Sequence, residues 1–286
     1  LSVKSLKLGT ARDFVAQAIN PPPPKAVINA VELLCAIGAI RKENESLTAL
    51  GTHLINLPVT PRVEKMLIVA CALGCVEPAL TVAAATATRD PFVLPMDKKQ
   101  EADLSRREFS RKTHSDHVAI AVAFHEWQYV KNMRGNGAAR TFAKHRFLSH
   151  ETMERMVTTR KQFAGLLEAA GFKVGGSGIG GDRGTTAHHR SHGHVSSHAY
   201  DCNQAPFDID IFRAVLCAGL FPKLACVKKK GRRNKLKTHE DGSVDIHPSS
   251  VNSEFSTTFP FKWLVYGEKV KTQKVFLRDS TCVPTY

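Results

Sequence analysis

A chain of 286 residues with a 43% apolar fraction is long enough for two or three small domains and can bury real cores. Lys and Arg total 40 against 26 Asp and Glu, a formal charge of +14 that favours an anionic partner through long-range attraction and counterion release. The seven cysteines are scattered without a C-x-x-C pair, and Arg62, Glu64, Lys65, Glu77 and Arg89 interrupt the best apolar run. A disulfide scaffold and a membrane-spanning helix of roughly 18 apolar residues are therefore excluded.

Ser2 to Ile19 carries alternating and then helical apolar spacing, followed by four prolines at 21–24. Proline is tolerated in the first helical turn, where its missing N–H would be unpaired anyway. Val27, Val31 and Leu34 then mark one face of a helix over Lys25–Ile37, with Gly38 as its stop. Ala39–Lys42 and Ser46–Thr48 read as two short strands around Glu43-Asn44-Glu45, and a further helix starts near Gly51. Helix, hairpin and helix is the wiring of a winged helix. The opening at Leu1, in mid-pattern, leads us to expect a longer parent protein.

Thr60 caps an expected helix from Pro61 to Leu73, closed by Gly74. The next, Ala79–Thr88, consists of Ala, Val, Leu and Thr, and such small residues predict a buried, closely packed helix. Lys98–Lys112 reads as a charged helix solvated on most sides. Ser115 is the N-cap of a helix running to about Asn132, with Asp116 favourable at its positive end, and Gly135 and Gly137 form a loop. His125 and Trp127 are assigned to the core of that helix. A long helix is expected over Ala143–Ala170, closed by Gly171.

The segment 173–206 is rich in Gly, Ser and His and nearly free of apolar residues. It reads as a flexible linker, with adventitious metal binding at His188, His189, His192, His194 and His198 as the alternative. A helix over Phe207–Leu220 follows. Short β-like runs at Leu224–Val227, Ser243–Ile246, Lys262–Tyr266 and Lys274–Leu277 then suggest a small barrel.

Three blocks carry a family resemblance. LGTARDFVAQAINPPPPKAVINAVELLCAIGAIRKENESLTALGTHLINLPVTPRVEKMLI is similar to a winged helix entering the ratchet domain of DEAH/RHA-type RNA helicases. SDHVAIAVAFHEW resembles that family's ratchet helix. FRAVLCAGLFPKLACV, DGSVDIHPSSVNSEF and WLVYGEKVKTQKVFLRDSTCV resemble its oligonucleotide-binding (OB) barrel. The resemblance is nearest to the branch of the maleless-type and G-quadruplex-resolving helicases and points to a plant member of it.

The resemblance implies a mainly α chain with a small C-terminal β-barrel. Its expected domains are a partial winged helix (1–57), a helical ratchet (58–172), the linker (173–205) and an OB fold (206–286). It also implies RNA as partner, single-stranded or structured and including G-quadruplexes, together with RecA-like motor domains in cis. Without a G-x-x-x-x-G-K-[ST] loop the chain holds no ATP-phosphate site of that kind, so ATP and Mg²⁺ are expected in the motor domains and no cofactor here. An intracellular monomer is expected, in nucleus or cytoplasm.

The densest basic run is Lys228 to Lys237, read as a hairpin arm of the barrel. Lys228, Lys230, Arg232 and Arg233 are its candidate phosphate contacts, with a solvated loop or a nuclear-localisation signal as the alternatives. The resemblance places His247, Ser249, Ser250 and Asn252 near single-stranded RNA, against the plainer role of a loop that closes the barrel. Ser115 and His117 stand at a helix start, where N–H groups attract phosphate, although capping explains Ser115 equally well. Arg155, Arg160 and Lys161 are candidates for the RNA channel or for a solvated basic face. The two functional readings are an accessory RNA-gripping region of an ATP-dependent helicase and a non-catalytic protein-binding adaptor.

Overall fold

The computed structural model describes residues 1–55, 59–172, 174, 208–230, 233–253 and 259–285. Within these, ten α-helices precede five β-strands, so the mainly α fold with a C-terminal barrel is observed. The histidine-rich stretch assigned as a linker lies outside the described residues.

Four helices form the winged-helix portion: α1 (Ser2–Ser5), α2 (Ala11–Ala16), α3 (Pro24–Ala36) and α4 (Ala49–Leu54). Proline opens α3 as expected, and Gly38 at φ 81° turns the chain after it. The expected pair of strands shrinks to a single bridge between Ile40 and Leu47. The turn between them tightens at Glu45, which takes φ 53° and donates its N–H to Arg41 O at 2.9 Å, leaving too few residues for a longer ladder. Gly51 is required in α4, because a Cβ there would stand 1.9 Å from the Ala39 carbonyl oxygen.

Five helices lie in the stretch expected to form the ratchet: α5 (Pro61–Ala72), α6 (Val76–Ala87), α7 (Lys99–Ser110), α8 (Asp116–His145) and α9 (His150–Ala169). The small side chains of α6 are buried from Pro78 to Ala85, and α5, α8 and α9 pack around them. Trp127 belongs to the same core and is fully buried. Three boundaries differ from the sequence reading. α7 is not solvated on most sides, because Arg106, Phe109 and Ser110 are buried. α8 does not stop near Asn132 but runs on through a kink at Gly135 (φ 82°, ψ 176°). The following helix begins at His150, not Ala143, because the chain breaks at Phe147 (φ 55°). That break is fixed by distant partners: Val93 N–H donates to Phe147 O and Ser149 N–H to Pro91 O, both at 2.8 Å.

After the undescribed segment, α10 (Ile209–Leu220) packs on α5. Gly219 makes this approach possible, since a Cβ there would meet the Met66 Cβ at 2.3 Å. The strands β1 (Leu224–Lys230), β2 (Arg233–Thr238), β3 (Asp245–Ile246), β4 (Trp263–Lys271) and β5 (Val275–Val283) follow. Their order is β2-β1-β4-β5-β3, with β3 parallel to β5 and the other pairs antiparallel. A bridge from Leu236 to Val244 nearly closes the barrel. Ala225, Leu236, Leu264, Leu277 and Cys282 fill its interior. Val251, Val265 and Val283 instead join the core of α5 to α10, so helices and barrel share one apolar interior.

Glu64 is an exception within α5. It is 2% exposed, and its Oε2 finds no hydrogen-bond partner among the described residues. Burial pushes its pKa up from 4.5 to about 8, against the lowering effect of a hydrogen bond with the Val59 backbone. The folded state therefore keeps a proton that the unfolded chain releases from about pH 4.5 upward, and stability falls as pH rises from 4.5 to 8. Glu64→Gln keeps an acceptor and removes the charge. In thermal melts it is expected to match the native protein at the acid end and to melt higher above the folded-state pKa.

Candidate nucleic-acid interface

Ser115, Asp116 and His117 open α8, and all three are buried, at 0%, 0% and 1% exposure. Ser115 Oγ accepts the Val118 N–H at 3.0 Å, the expected cap. The same hydroxyl lies 2.7 Å from Thr281 Oγ1, which lies 2.8 Å from His117 Nδ1. The network is self-consistent if Ser115 donates to Thr281 and Thr281 donates to a neutral imidazole. Burial lowers the His117 pKa to about 4, which keeps that ring neutral.

The Asp116 carboxylate is the centre of the arrangement. It accepts Ser250 Oγ–H at 2.5 Å, Val251 N–H at 2.9 Å and Ser280 N–H at 2.8 Å. Arg106 Nε stands 3.6 Å away, within ion-pair range, while its Nη1 donates to Asp90 at 2.9 Å. Asp279 lies 3.8 Å from the same guanidinium, yet burial and Asp116 together raise its pKa to about 6. Asn252 completes the seam, donating from Nδ2 to His114 O at 3.1 Å, Ser280 O at 3.2 Å and Ser280 Oγ at 2.8 Å. Ratchet and barrel are thus joined by a buried polar network in which the Asp116 carboxylate has several donors.

Four residues chosen as RNA contacts, Ser115, His117, Ser250 and Asn252, are therefore turned inward. In this structure their polar atoms serve the seam. Sequence reasoning saw Asp116 only as a favourable charge at a helix start, and it missed Arg106, Ser280 and Thr281. The available signal was three short hydroxyl- and acid-rich motifs, Ser-Asp-His, Ser-Ser-Val-Asn and Asp-Ser-Thr, each too polar for the apolar core beside it.

His247 and Ser249 differ. They share the loop of Ser250 and Asn252 but remain partly exposed, with Pro248 between them fully on the surface. His247 Nδ1 lies 2.8 Å from Ser249 Oγ and accepts the Ser249 N–H at 3.2 Å, and its ring edge meets Phe276 with centroids 6.0 Å apart. Burial and the nearby cations Arg278 and Arg106 lower its pKa.

The basic run is not a loop. It forms β1 and β2, paired in the register Lys228↔Lys235, Lys229↔Asn234 and Lys230↔Arg233. β1 pairs with β4 only from Leu224 to Cys226, so the rest of this hairpin projects as an arm. Lys228, Lys235 and Lys237 are exposed, whereas Leu236 between the last two points into the barrel. Lys230 and Arg233 face each other in backbone register, and Arg232 lies outside the described residues.

On α9, Arg155 is exposed and pairs with Glu151 at 2.5 Å, a surface contact of small energetic weight. Arg160 is 5% exposed, which removes it from the surface. It donates to Glu77 O at 2.9 Å, reaches the Glu77 carboxylate and Thr81 hydroxyl, and stacks 4.9 Å from the Phe124 ring centre. Lys161 is exposed and lines an open groove of about 650 Å³ with Val59, Ala87, Gln162 and Gly165. Among the described residues no group of three or more His, Cys, Asp or Glu side chains could hold a metal ion.

Three helicase-associated family models match in chain order: the winged-helix HA2 domain over residues 30–59, the ratchet-like HA2 domain over 60–120, and the OB fold over 212–286. The DExH-box ATP-dependent RNA helicase DExH1 of Arabidopsis thaliana is 42% identical over 286 residues, all of this chain and 26% of that protein. DExH3 of the same plant is 38% identical over 283 residues, 99% of this chain and 21% of its own length. The ATP-dependent DNA/RNA helicase DHX36 of Rattus norvegicus is 36% identical over 293 aligned residues, all of this chain and 27% of its own length. The chain belongs to the helicase-associated region of the DExH-box RNA helicases. It spans about a quarter of the length of these relatives.

Within this helicase-associated region the seam is expected to carry stability. Asn252→Ala strips donors from three buried acceptors and is expected to cost about 1–3 kcal/mol in denaturant unfolding. A loss well below that range would mean that water replaces the amide and that the seam is not dry.

Proposed function

We propose that this region grips single-stranded RNA on behalf of an ATP-driven motor carried in the same polypeptide. The observation that carries the reading is the cationic arm of the barrel. Lys228 stands directly opposite Lys235 in an antiparallel pair, and like charges so placed are destabilising. No ion pair relieves Lys228, Lys235 or Lys237 among the described residues. A phosphate backbone would relieve all of them at once, without reading sequence.

The partly exposed half of the 247–252 loop supplies a second, uncharged contact: an imidazole and a hydroxyl suited to phosphate oxygens, ribose or base edges. Arg155 and Lys161 on α9 offer a third. The grip is passive in this portion, since the chain has no phosphate loop and its residues do not fit ATP or Mg²⁺. Nucleotide binding and turnover are assigned to motor domains in cis, and an intracellular monomer is the expected setting. No helix among the described residues is long and apolar enough to cross a membrane. Structured guanine-rich RNA is part of the proposed partner class, because closely spaced phosphates suit the same arm.

One observation favours an additional protein contact. α3 has no buried residue although its sequence is apolar, and Val27, Val31 and Leu34 line a cavity of about 350 Å³ with Val15 and Ile40. That contact would lie on the winged helix and would not compete with the arm.

The test is fluorescence polarisation with a labelled oligoribonucleotide at several salt concentrations. Replacing Lys228, Lys235 and Lys237 by Gln is expected to weaken binding and to lower the slope of log affinity against log salt by about 2, at roughly 0.7 per phosphate contact on a single strand. An unchanged slope in a protein of unchanged melting temperature would remove the arm from the interface.

A further inference from the structure

The loop after β3 is divided sharply. Ser250, Val251 and Asn252 are 4%, 1% and 0% exposed, while His247, Pro248 and Ser249 reach the surface. Two of the three residues of the buried half are held by one side chain from another part of the fold, since Asp116 accepts both Ser250 Oγ–H and Val251 N–H, while Asn252 is held by His114 and Ser280. Asp116 also accepts the Ser280 N–H, and Ser280 in turn accepts from Asn252. The exposed half is held at its start by β5, through the Phe276 ring and the His247 N–H donated to Leu277 O at 2.9 Å, and beyond that only by the His247–Ser249 contacts. Only Ser249 separates Ser250 from Pro248, the outermost point of the loop, so the far side of the loop is placed by where Asp116 holds the chain.

We propose that Asp116 is a positioning residue for RNA binding: from inside the ratchet it sets the place and orientation of His247 and Ser249 on the barrel surface. The inference rests on the reading that this loop touches RNA. A carboxylate suits the task better than an apolar contact would. It fixes two donors of one loop and one of β5 to a common point at the rigid N-terminus of a long helix. Burial in that network makes each bond strongly directional. The Arg106 guanidinium, which Asp116 shares with Asp90, and the positive helix terminus both favour an acidic side chain at this buried position.

A double-mutant cycle on the full chain tests this. Asp116→Asn keeps the shape and turns one acceptor into a donor. His247→Ala with Ser249→Ala removes the surface groups. In polarisation titrations with oligouridylate, each is expected to weaken binding about tenfold, the effect of losing one or two well-placed hydrogen bonds. Asp116→Asn added to the His247/Ser249 variant is expected to change affinity by less than about twofold, because both routes remove the same contact. The salt slope stays unchanged, since no phosphate-binding cation is altered. Amide hydrogen exchange should rise at 247–253 while α9 stays protected.

Equal factors in both backgrounds would overturn the proposal, as they would show a general effect on the fold. So would native affinity in Asp116→Asn. If the His247/Ser249 variant itself binds like the native protein, the loop does not touch RNA, and the reading beneath the proposal falls first. Should Asp116→Asn fail to fold, Ser250→Ala removes one donor to the same carboxylate and leaves the charge in place. It is expected to give the same non-additivity at smaller amplitude, and additivity there overturns the proposal equally.

Discussion

A single carboxylate, buried where α8 meets the barrel, governs how the two halves of this molecule sit together. A desolvated charge is costly unless donors surround it. Asp116 meets that demand with groups from three separate stretches: the loop after β3, the middle of β5 and the guanidinium of α7. Removing one partner leaves the rest buried and underpaired, so the seam tolerates few alternatives. Apolar packing of Val251, Val265 and Val283 against the helical core supplies the attraction between the halves. The polar network supplies the registry, a role for which buried ionic groups are best attested.

The net charge of +14 overstates the cation available to a ligand. Arg106 is committed to Asp90, Asp116 and Asp279, and Arg160 to Glu77 and Thr81. Arg213 pairs with Asp210 at 3.0 Å, donates to Thr113 O at 2.9 Å and stacks on Phe261. These arginines act as internal connectors, consistent with the planar fork that suits Arg to buried pairs. The free cations of the arm are lysines on strands, where a compact mobile ammonium suits a phosphate track without sequence preference.

The helix starts were legible wherever the signal was local. Pro24, Pro61, Ser115 and the small residues of α6 each predicted what the structure contains. The break before α9 was not legible, because Phe147 is held by Val93 and Ser149 by Pro91, each across more than fifty residues. Strand β2 was hidden by its composition: Arg, Asn and Lys have little intrinsic preference for strands, and register with β1 decides the matter. At the interface the basic run could be read, because charge density needs no three-dimensional context. Ser115 and His117 could not. A hydroxyl and an imidazole at a helix start look the same in sequence whether they face a phosphate or another domain, and the deciding partner, Thr281, lies more than 160 residues away.

The winged-helix junction is built differently from the seam. Its buried apolar cluster consists of Ile37, Ala39 and Leu54, with Ile68 of α5 packed at the edge. Among the described residues, Lys65 Nζ donates to Ile37 O across it at 2.9 Å. Between ratchet and barrel, by contrast, a continuous core and a many-membered polar network act together. Regions with few buried contacts open at lower free energy than those with many. Ratchet and barrel therefore behave as one jaw. In that arrangement the barrel arm and the 247–249 loop keep a fixed spacing from α9 whatever the winged helix does. A polyanion laid across them meets a preformed surface and bears little of the ordering cost of binding.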